Sequence, residues 1–193
     1  MKNLIYALLL TLIFSQAAVA DDKKDAEEIL KGKLESVIIV LEKKDIDQQA
    51  KKKKIIEIVT PMFNFSLMSK LTLGKKHWPG LTKDQKEKFI ELFTKRLKDS
   101  YLDKMMLYTD EKIKYKAPVQ IKKKVHIPTI LTSKDNKISM RYKLYKSKQG
   151  WRIYDIEIQG VSLIRSYRSQ FDEILRNKTV DDLLAKLEKP ENK

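Results

Sequence analysis

Apolar residues return every three or four positions at Ile29, Leu30, Leu34, Val37, Ile38 and Leu41, which predicts an amphipathic helix over residues 26–41 with Asp25 as its cap. A second helix is expected from Asp45 or Asp47 to Pro61, exposing lysines 51–54 and presenting Ile55, Ile56 and Val59 to the interior. Residues 63–73 form a short apolar segment carrying Phe65, Met68 and Leu71, closed by Gly74 and followed by a loop at Trp78-Pro79-Gly80. Thr82, with Gln85 three residues later, is a capping box that opens the longest helical pattern. Along it Phe89, Phe93, Leu97, Tyr101 and Met105 repeat every four residues, and Leu92, Leu102 and Met106 widen the stripe.

The period then changes from helical to alternating. Residues 112–116, 119–127, 137–146 and 151–158 alternate or are enriched in β-branched side chains, and turn-forming residues separate them. Val119, Ile121, Val125 and Ile127 are expected on one face, and Ile138, Met140, Tyr142 and Leu144 likewise. In the last strand Tyr154, Ile156 and Ile158 are expected to face one way, with Trp151, Asp155 and Glu157 facing the other. Ser162 then introduces an amphipathic helix carrying Leu163, Ile164, Tyr167, Phe171, Ile174 and Leu175, and Thr179 with Asp182 caps a short last one. The pattern predicts one α+β domain: an antiparallel sheet of about four strands, its apolar face covered by helices.

The amino terminus has a different character. Lys2 supplies a positive charge, residues 4–14 are almost purely apolar, and Ala18-Val19-Ala20 precedes Asp21. This is the three-part pattern of a secretory signal peptide cleaved after Ala20, and the apolar run is too short for an ordinary membrane-spanning helix. The competing reading is an uncleaved membrane anchor. Cleavage removes one lysine and leaves residues 21–193, a chain of 173 residues at net charge +14. That length suffices for one domain with its own core.

Composition then narrows the chemistry. The absence of cysteine excludes disulfides, thiolate nucleophiles, thiolate metal sites and a lipobox. The five glycines cannot be arranged as G-x-G-x-x-G or G-x-x-x-x-G-K, which removes both phosphate-cradling loops. The 41 basic residues outnumber the 26 acidic ones, and most are lysine rather than the arginine on which nucleic-acid readers rely. Neither an aromatic RNA-binding strand nor a zinc knuckle accompanies them, so no nucleic-acid partner is expected. The lysines fit a solvated surface, or attraction to anionic lipid headgroups or an acidic partner.

The segment Trp151-Arg152-Ile153-Tyr154-Asp155, running into Gln159-Gly160-Val161-Ser162-Leu163, resembles the MlaC, or toluene-tolerance, family of periplasmic phospholipid-binding proteins. A W-x-x-Y-D strand there leads into an E-G-V-S turn and a helix, and Tyr167-Arg168-Ser169-Gln170-Phe171 is similar to the family's Y-R-x-x-F run. Leu73-Gly74, Trp78, the Thr82 box, Phe89, Phe93, Leu97 and Tyr101 follow the family's order. Two positions depart: Gln159 stands where Glu is usual and Asn64 where Asp is common. The resemblance implies a twisted antiparallel sheet and helices, a nuclear-transport-factor-like cone, around an apolar cavity for phospholipid tails. It implies a carrier between an outer-membrane lipoprotein complex and an inner-membrane ABC transporter complex, with transient membrane contact. The phospholipid is cargo and no cofactor is implied; hopanoid-associated relatives are similar at this level.

On that reading the residues expected to line the cavity are Tyr101 and Met105 from the long helix, and Val125, Ile127, Met140, Tyr142, Tyr154 and Ile156 from the sheet. Val161, Ile164, Tyr167 and Phe171 complete the set from the turn and helix that follow. Each is equally at home in a solid core, because both roles demand an apolar face. Sheet-and-helix cones also host isomerases and hydratases, for which Asp155, Glu157 and Tyr154 are the candidate acid, base and donor. The spacing of the two acids turns them away from the apolar face and favours structural or partner-pairing acids. His77 and His126 lack neighbours at metal-ligand spacing, and Ser162 lies outside any G-x-S-x-G elbow, so no metal or catalytic residue is expected.

Overall fold

A computed structural model describes the backbone of residues 2–106, 112–133 and 136–190, and the side chains of residues 22–101, 106, 112–132 and 137–190. Helix α1 spans Lys2–Glu42 without a break, so Asp25 is an interior position rather than a cap. Helix α2, Gln48–Val59, starts at Asp47, whose carboxylate accepts the Ala50 N–H at 2.8 Å, and passes into a 3-10 turn, Thr60–Met62, at Pro61. Asn64 caps α3, Phe65–His77, accepting from Leu67 N at 2.8 Å. In the capping box of α4, Lys83–Met105, Thr82 N donates to Gln85 at 3.1 Å and Gln85 N donates to Thr82 at 3.2 Å. Helices α5, Leu163–Asn177, and α6, Val180–Glu188, start at Ser162 and Thr179, as their sequences predict.

Gly74 interrupts α3 with φ of 62°, a conformation that costs a residue with a side chain more than it costs glycine. Arg168 of α5 closes over the break: Nε donates to the Leu71 carbonyl at 2.9 Å, and a terminal nitrogen donates to the same oxygen. A Cβ at Gly74 would stand 3.3 Å from that guanidinium, so the glycine serves both the turn and the close approach.

The described strands form one antiparallel sheet: β1 Lys112–Tyr115, β2 Val119–Ile121, β3 Lys124–Ser133, β4 Asn136–Ser147, β5 Gly150–Ile158 and β6 Val161–Ser162. Their order is β1-β3-β4-β5-β6, and β2 pairs with β3 along the edge that β1 also occupies. The sheet therefore has six strands rather than about four, for two local reasons. The stretch 119–127 reverses at Lys122-Lys123, with Lys122 at φ 56°, and becomes β2 plus β3. Val119 and Ile121 consequently lie on the face opposite Val125 and Ile127. Gln159 and Gly160, at φ 50° and 82°, form a two-residue turn of the twisted hairpin kind, which adds β6.

A bulge changes the faces of β5. Leu144 pairs with Ile153 but Lys143 pairs with Asp155, leaving Tyr154 as an extra residue. A one-residue slip exchanges the faces beyond it. Trp151 and Ile153 thus share the core with Ile156 and Ile158, and Tyr154 turns outward to His126, 3.0 Å from its hydroxyl. Burial pushes the Tyr154 phenol up to about 12, with Asp155 and Glu157 adding to the effect. Burial, with the charges of Lys143, Arg141 and Lys124, holds His126 below its ordinary value, against an opposing pull from Glu157.

The acids on the outer side of β5 fasten α5 to the sheet and do not face solvent. Buried Asp155 accepts from Ser162 Oγ at 2.7 Å, from Ile164 N at 3.2 Å and from Lys143 Nζ at 3.0 Å, so it reinforces the Ser162 cap. Glu157 lies 2.8 Å from Arg141, 2.5 Å from Lys143 and 3.5 Å from Arg165. Burial alone would raise its pKa, but the Lys143 hydrogen bond and the three cations outweigh that, and the net shift is downward.

Among the described residues three apolar clusters make up the core. Helices α3 to α6 meet around Phe89, Phe93, Tyr167 and Phe171, with the Phe93–Tyr167 and Phe89–Phe171 rings edge to face at 5.0 and 5.6 Å between centroids. Ala26, Leu30 and Leu34 of α1 pack on Val125, Ile127, Leu144, Trp151 and Ile153 of the sheet. Val37 and Val40 meet Ile55 of α2.

Removing one member of a buried ion network leaves the others uncompensated, so Asp155→Ala should lower the unfolding free energy by about 3 kcal/mol or more in urea titration. Because the folded-state pKa of Glu157 is depressed, its contribution is full above its ordinary value of 4.5 and is lost as pH falls through the lower folded value. The stability difference between wild type and Glu157→Gln should therefore be constant near neutrality and shrink below about pH 4.5. A difference independent of pH down to acid unfolding would contradict this assignment.

Candidate functional site

The three clusters converge without closing, and between them lies a cavity of about 360 Å³. Its floor is the sheet: Thr129, Leu131, Ile138, Met140, Tyr142, Ile153, Ile156 and Ile158, with Ile113 on the edge strand. Leu34, Val37, Ile38 and Leu41 of α1 and Ile56 and Val59 of α2 form one wall. The opposite wall is Met62, Phe63, Phe65, Met68, Leu97, Tyr101 and Leu163. Phe63 and Phe65 stack at 5.4 Å, and the backbone of Asn64 bonds to the Ile153 carbonyl at 3.0 Å, which sets this connection against the sheet.

Few polar groups interrupt the lining. Tyr142 points its hydroxyl at the Met140 sulfur, 3.8 Å away, and burial with Tyr115 nearby raises its pKa well above that of a free phenol, so it stays neutral. Burial, with Glu35 and Glu27, pushes Tyr115 up to about 12. Among the described residues the charged members of the lining are Glu42, exposed at the end of α1, and Lys98, whose ammonium lies 5.5 Å from the Phe65 ring. The arrangement suits a long apolar ligand with one polar end better than it suits acid–base chemistry.

Of the twelve residues expected at a cavity from sequence, Tyr101, Met140, Tyr142 and Ile156 are brought together in its lining. Val125 and Ile127 point to the same sheet face but are buried beneath α1. Ile164, Tyr167 and Phe171 belong to the helical core. Val161 is 59% exposed at the β5–β6 turn, and the bulge carries Tyr154 to the outer face. The side chain of Met105 lies outside the described residues. The α1 and α2 wall was missing from the expected set: its apolar spacing is plain in the sequence, but which stripe overhangs the sheet depends on tertiary packing.

The alternative acids are committed elsewhere, since Asp155 and Glu157 lie on the other side of the sheet with their oxygens engaged. Among the described residues no group of three potential ligands could hold a metal, and His77 bonds Asp172 at 2.8 Å, joining α3 to α5.

Among solved structures, the chain is similar to a phospholipid-binding protein from Ralstonia solanacearum, solved in complex with a phospholipid. The match has a TM-score of 0.75 and covers 85% of this chain and 95% of that one; at 22% identity it shows a common fold. The model of the MlaC protein family matches residues 32–189, from the cavity wall of α1 to the end of α6, and on that match the chain belongs to the MlaC family.

Proposed function

We propose that the protein is a periplasmic phospholipid-binding shuttle, and the apolar cavity beneath α1 and α2 is the observation that carries this reading. Burial is worth roughly 0.8 kcal/mol per methylene, so an acyl chain of about 16 carbons held there is shielded from a cost on the order of 12 kcal/mol in water. A carrier needs a cavity of this kind to compete with a membrane for its cargo. A lipid tail in the cavity also covers apolar lining that would otherwise meet water. The phospholipid-binding protein from Ralstonia solanacearum supports the same cargo.

In this reading the tails lie against Met140, Tyr142 and Ile156 below and Val37, Leu41 and Ile56 above, with the polar end toward Glu42 and Lys98. Residues 21–193 act as one lipid-binding unit after export and cleavage behind Ala20. Family membership supports, as partners, an inner-membrane ABC transporter complex and an outer-membrane lipoprotein complex, in a pathway that maintains outer-membrane lipid asymmetry. The lipid is cargo, and no chemical step is required of the protein.

Lipid extraction and mass spectrometry of the purified protein should recover a glycerophospholipid; a hopanoid, or a consistently lipid-free protein, would reject this cargo. Met140→Trp and Ile156→Trp project bulk into the cavity and should reduce bound phospholipid several-fold. The stability of the delipidated protein should change by less than the roughly 1–3 kcal/mol that overpacking costs a solid core. Comparison in the delipidated state is necessary because ligand loss alone lowers apparent stability. Amino-terminal sequencing of the exported protein should begin at Asp21, and full-length chain in the inner membrane would defeat the export reading.

A further inference from the structure

The positive charge is unevenly distributed. Between residues 112 and 154 there are 13 lysines and arginines and one acidic residue, Asp135. Arg141 and Lys143 are taken up by Glu157 and Asp155, and Lys146 by Asp22. Lys116, Lys122 and Lys123 are exposed, and none is in an ion pair among the described residues; Lys124 lies over the Tyr154 ring at 4.5 Å. The β2–β3 hairpin carries Lys122, Lys123 and Lys124, with Lys116 in the connection just before it, and also holds Val119, 50% exposed, and Ile121, 45% exposed. The register of Val119 and Ile121 opposite His126 and Lys124 puts both on the outer sheet face, the face that also carries the half-buried rings of Tyr145 and Tyr154 further across the sheet.

We propose that this hairpin and the sheet face beside it dock on a lipid bilayer rich in anionic headgroups. Val119 and Ile121 enter the boundary between headgroups and acyl chains, while Lys116, Lys122, Lys123 and Lys124 meet the phosphates. Charge complementarity supplies attraction over about a nanometre at physiological salt and further at low salt, and the two aliphatic side chains supply short-range hold that a purely basic surface lacks. An acidic protein partner fits less well, because two exposed aliphatics at a sheet edge are far short of the apolar core of a stable protein interface. Val119 and Ile121 face away from the side of the sheet that floors the cavity, so docking leaves the lining uncovered. The proposal goes beyond the cargo reading, and either can fail alone, since one is measured by vesicle binding and the other by bound lipid.

The test is flotation of the purified protein with phosphatidylcholine vesicles, alone or with roughly one third phosphatidylglycerol, at low and high salt. The protein should float with the anionic vesicles at low salt only. Val119→Ser/Ile121→Ser should lower the partition coefficient roughly tenfold, and Lys122→Gln/Lys123→Gln roughly thirtyfold. Wild type and variants are all purified as the exported protein beginning at Asp21, so the amino-terminal apolar run contributes to none of the samples. The positions are exposed, so unchanged thermal midpoints and unchanged copurified lipid are expected and identify the loss as one of docking. Absence of flotation, or flotation unaffected by both double variants, overturns the proposal. Binding to polyglutamate that matches vesicle binding and ignores Val119→Ser/Ile121→Ser would assign the face to an acidic protein and overturn it equally.

Discussion

A sheet with one apolar face must be covered, and the strands of this one are longer than a single helix is wide. Strand β3, ten residues at about 3.3 Å each, runs roughly 33 Å, against about 10 Å for a helix with its side chains. Helix α1 covers one end, where Ala26 and Leu30 meet Val125, Ile127 and Trp151. Over the other end lie the second half of α1, α2 and the far end of α4, carried on elements that are themselves anchored elsewhere. The aromatic contacts among Phe89, Phe93, Tyr167 and Phe171 fix the helical body internally, and it does not collapse onto Met140 and Ile156. A hollow with apolar walls is the geometric remainder.

That body is held at its distance by polar devices. Arg168 on the Leu71 carbonyl, His77 on Asp172, and Asp155 on the first turn of α5 tie α3, α5 and β5 together at defined points. Each is directional, whereas apolar contact alone would permit many ways of closing the gap. Such buried charge contributes less to stability than well-packed hydrocarbon of the same volume, and its benefit here is geometry. The W-x-x-Y-D segment is thus a joint: tryptophan inward, tyrosine displaced by the bulge, aspartate beneath the next helix.

The periodic parts of this architecture were legible in the sequence. Capping residues at Asp47, Thr82, Ser162 and Thr179 located helix starts because cap chemistry is local. The Lys122-Lys123 reversal was hidden because a left-handed lysine carries no glycine or asparagine signature, and the Tyr154 bulge because alternation continues past it in the sequence. Those two irregularities misplaced Val119, Ile121 and Tyr154. For the cavity, an inward apolar face was readable but the partner of each face was not: Tyr167 and Phe171 satisfy α4, whereas Ile56 and Val59 look onto space.

The pairing of α1 with the sheet spans most of the chain: Leu30 finds its partners Val125, Ile127 and Trp151 roughly a hundred residues later. During synthesis this part of the apolar stripe is complete before any strand that can cover it exists, whereas Val37 and Val40, further along the same helix, find Ile55 fewer than twenty residues later. The stripe from Ala26 to Leu34 is therefore the part of α1 that stays uncovered after its far end has a partner. Lysines and acids interspersed along it, at Lys31, Lys33, Glu27 and Glu28, keep its other side soluble through that interval.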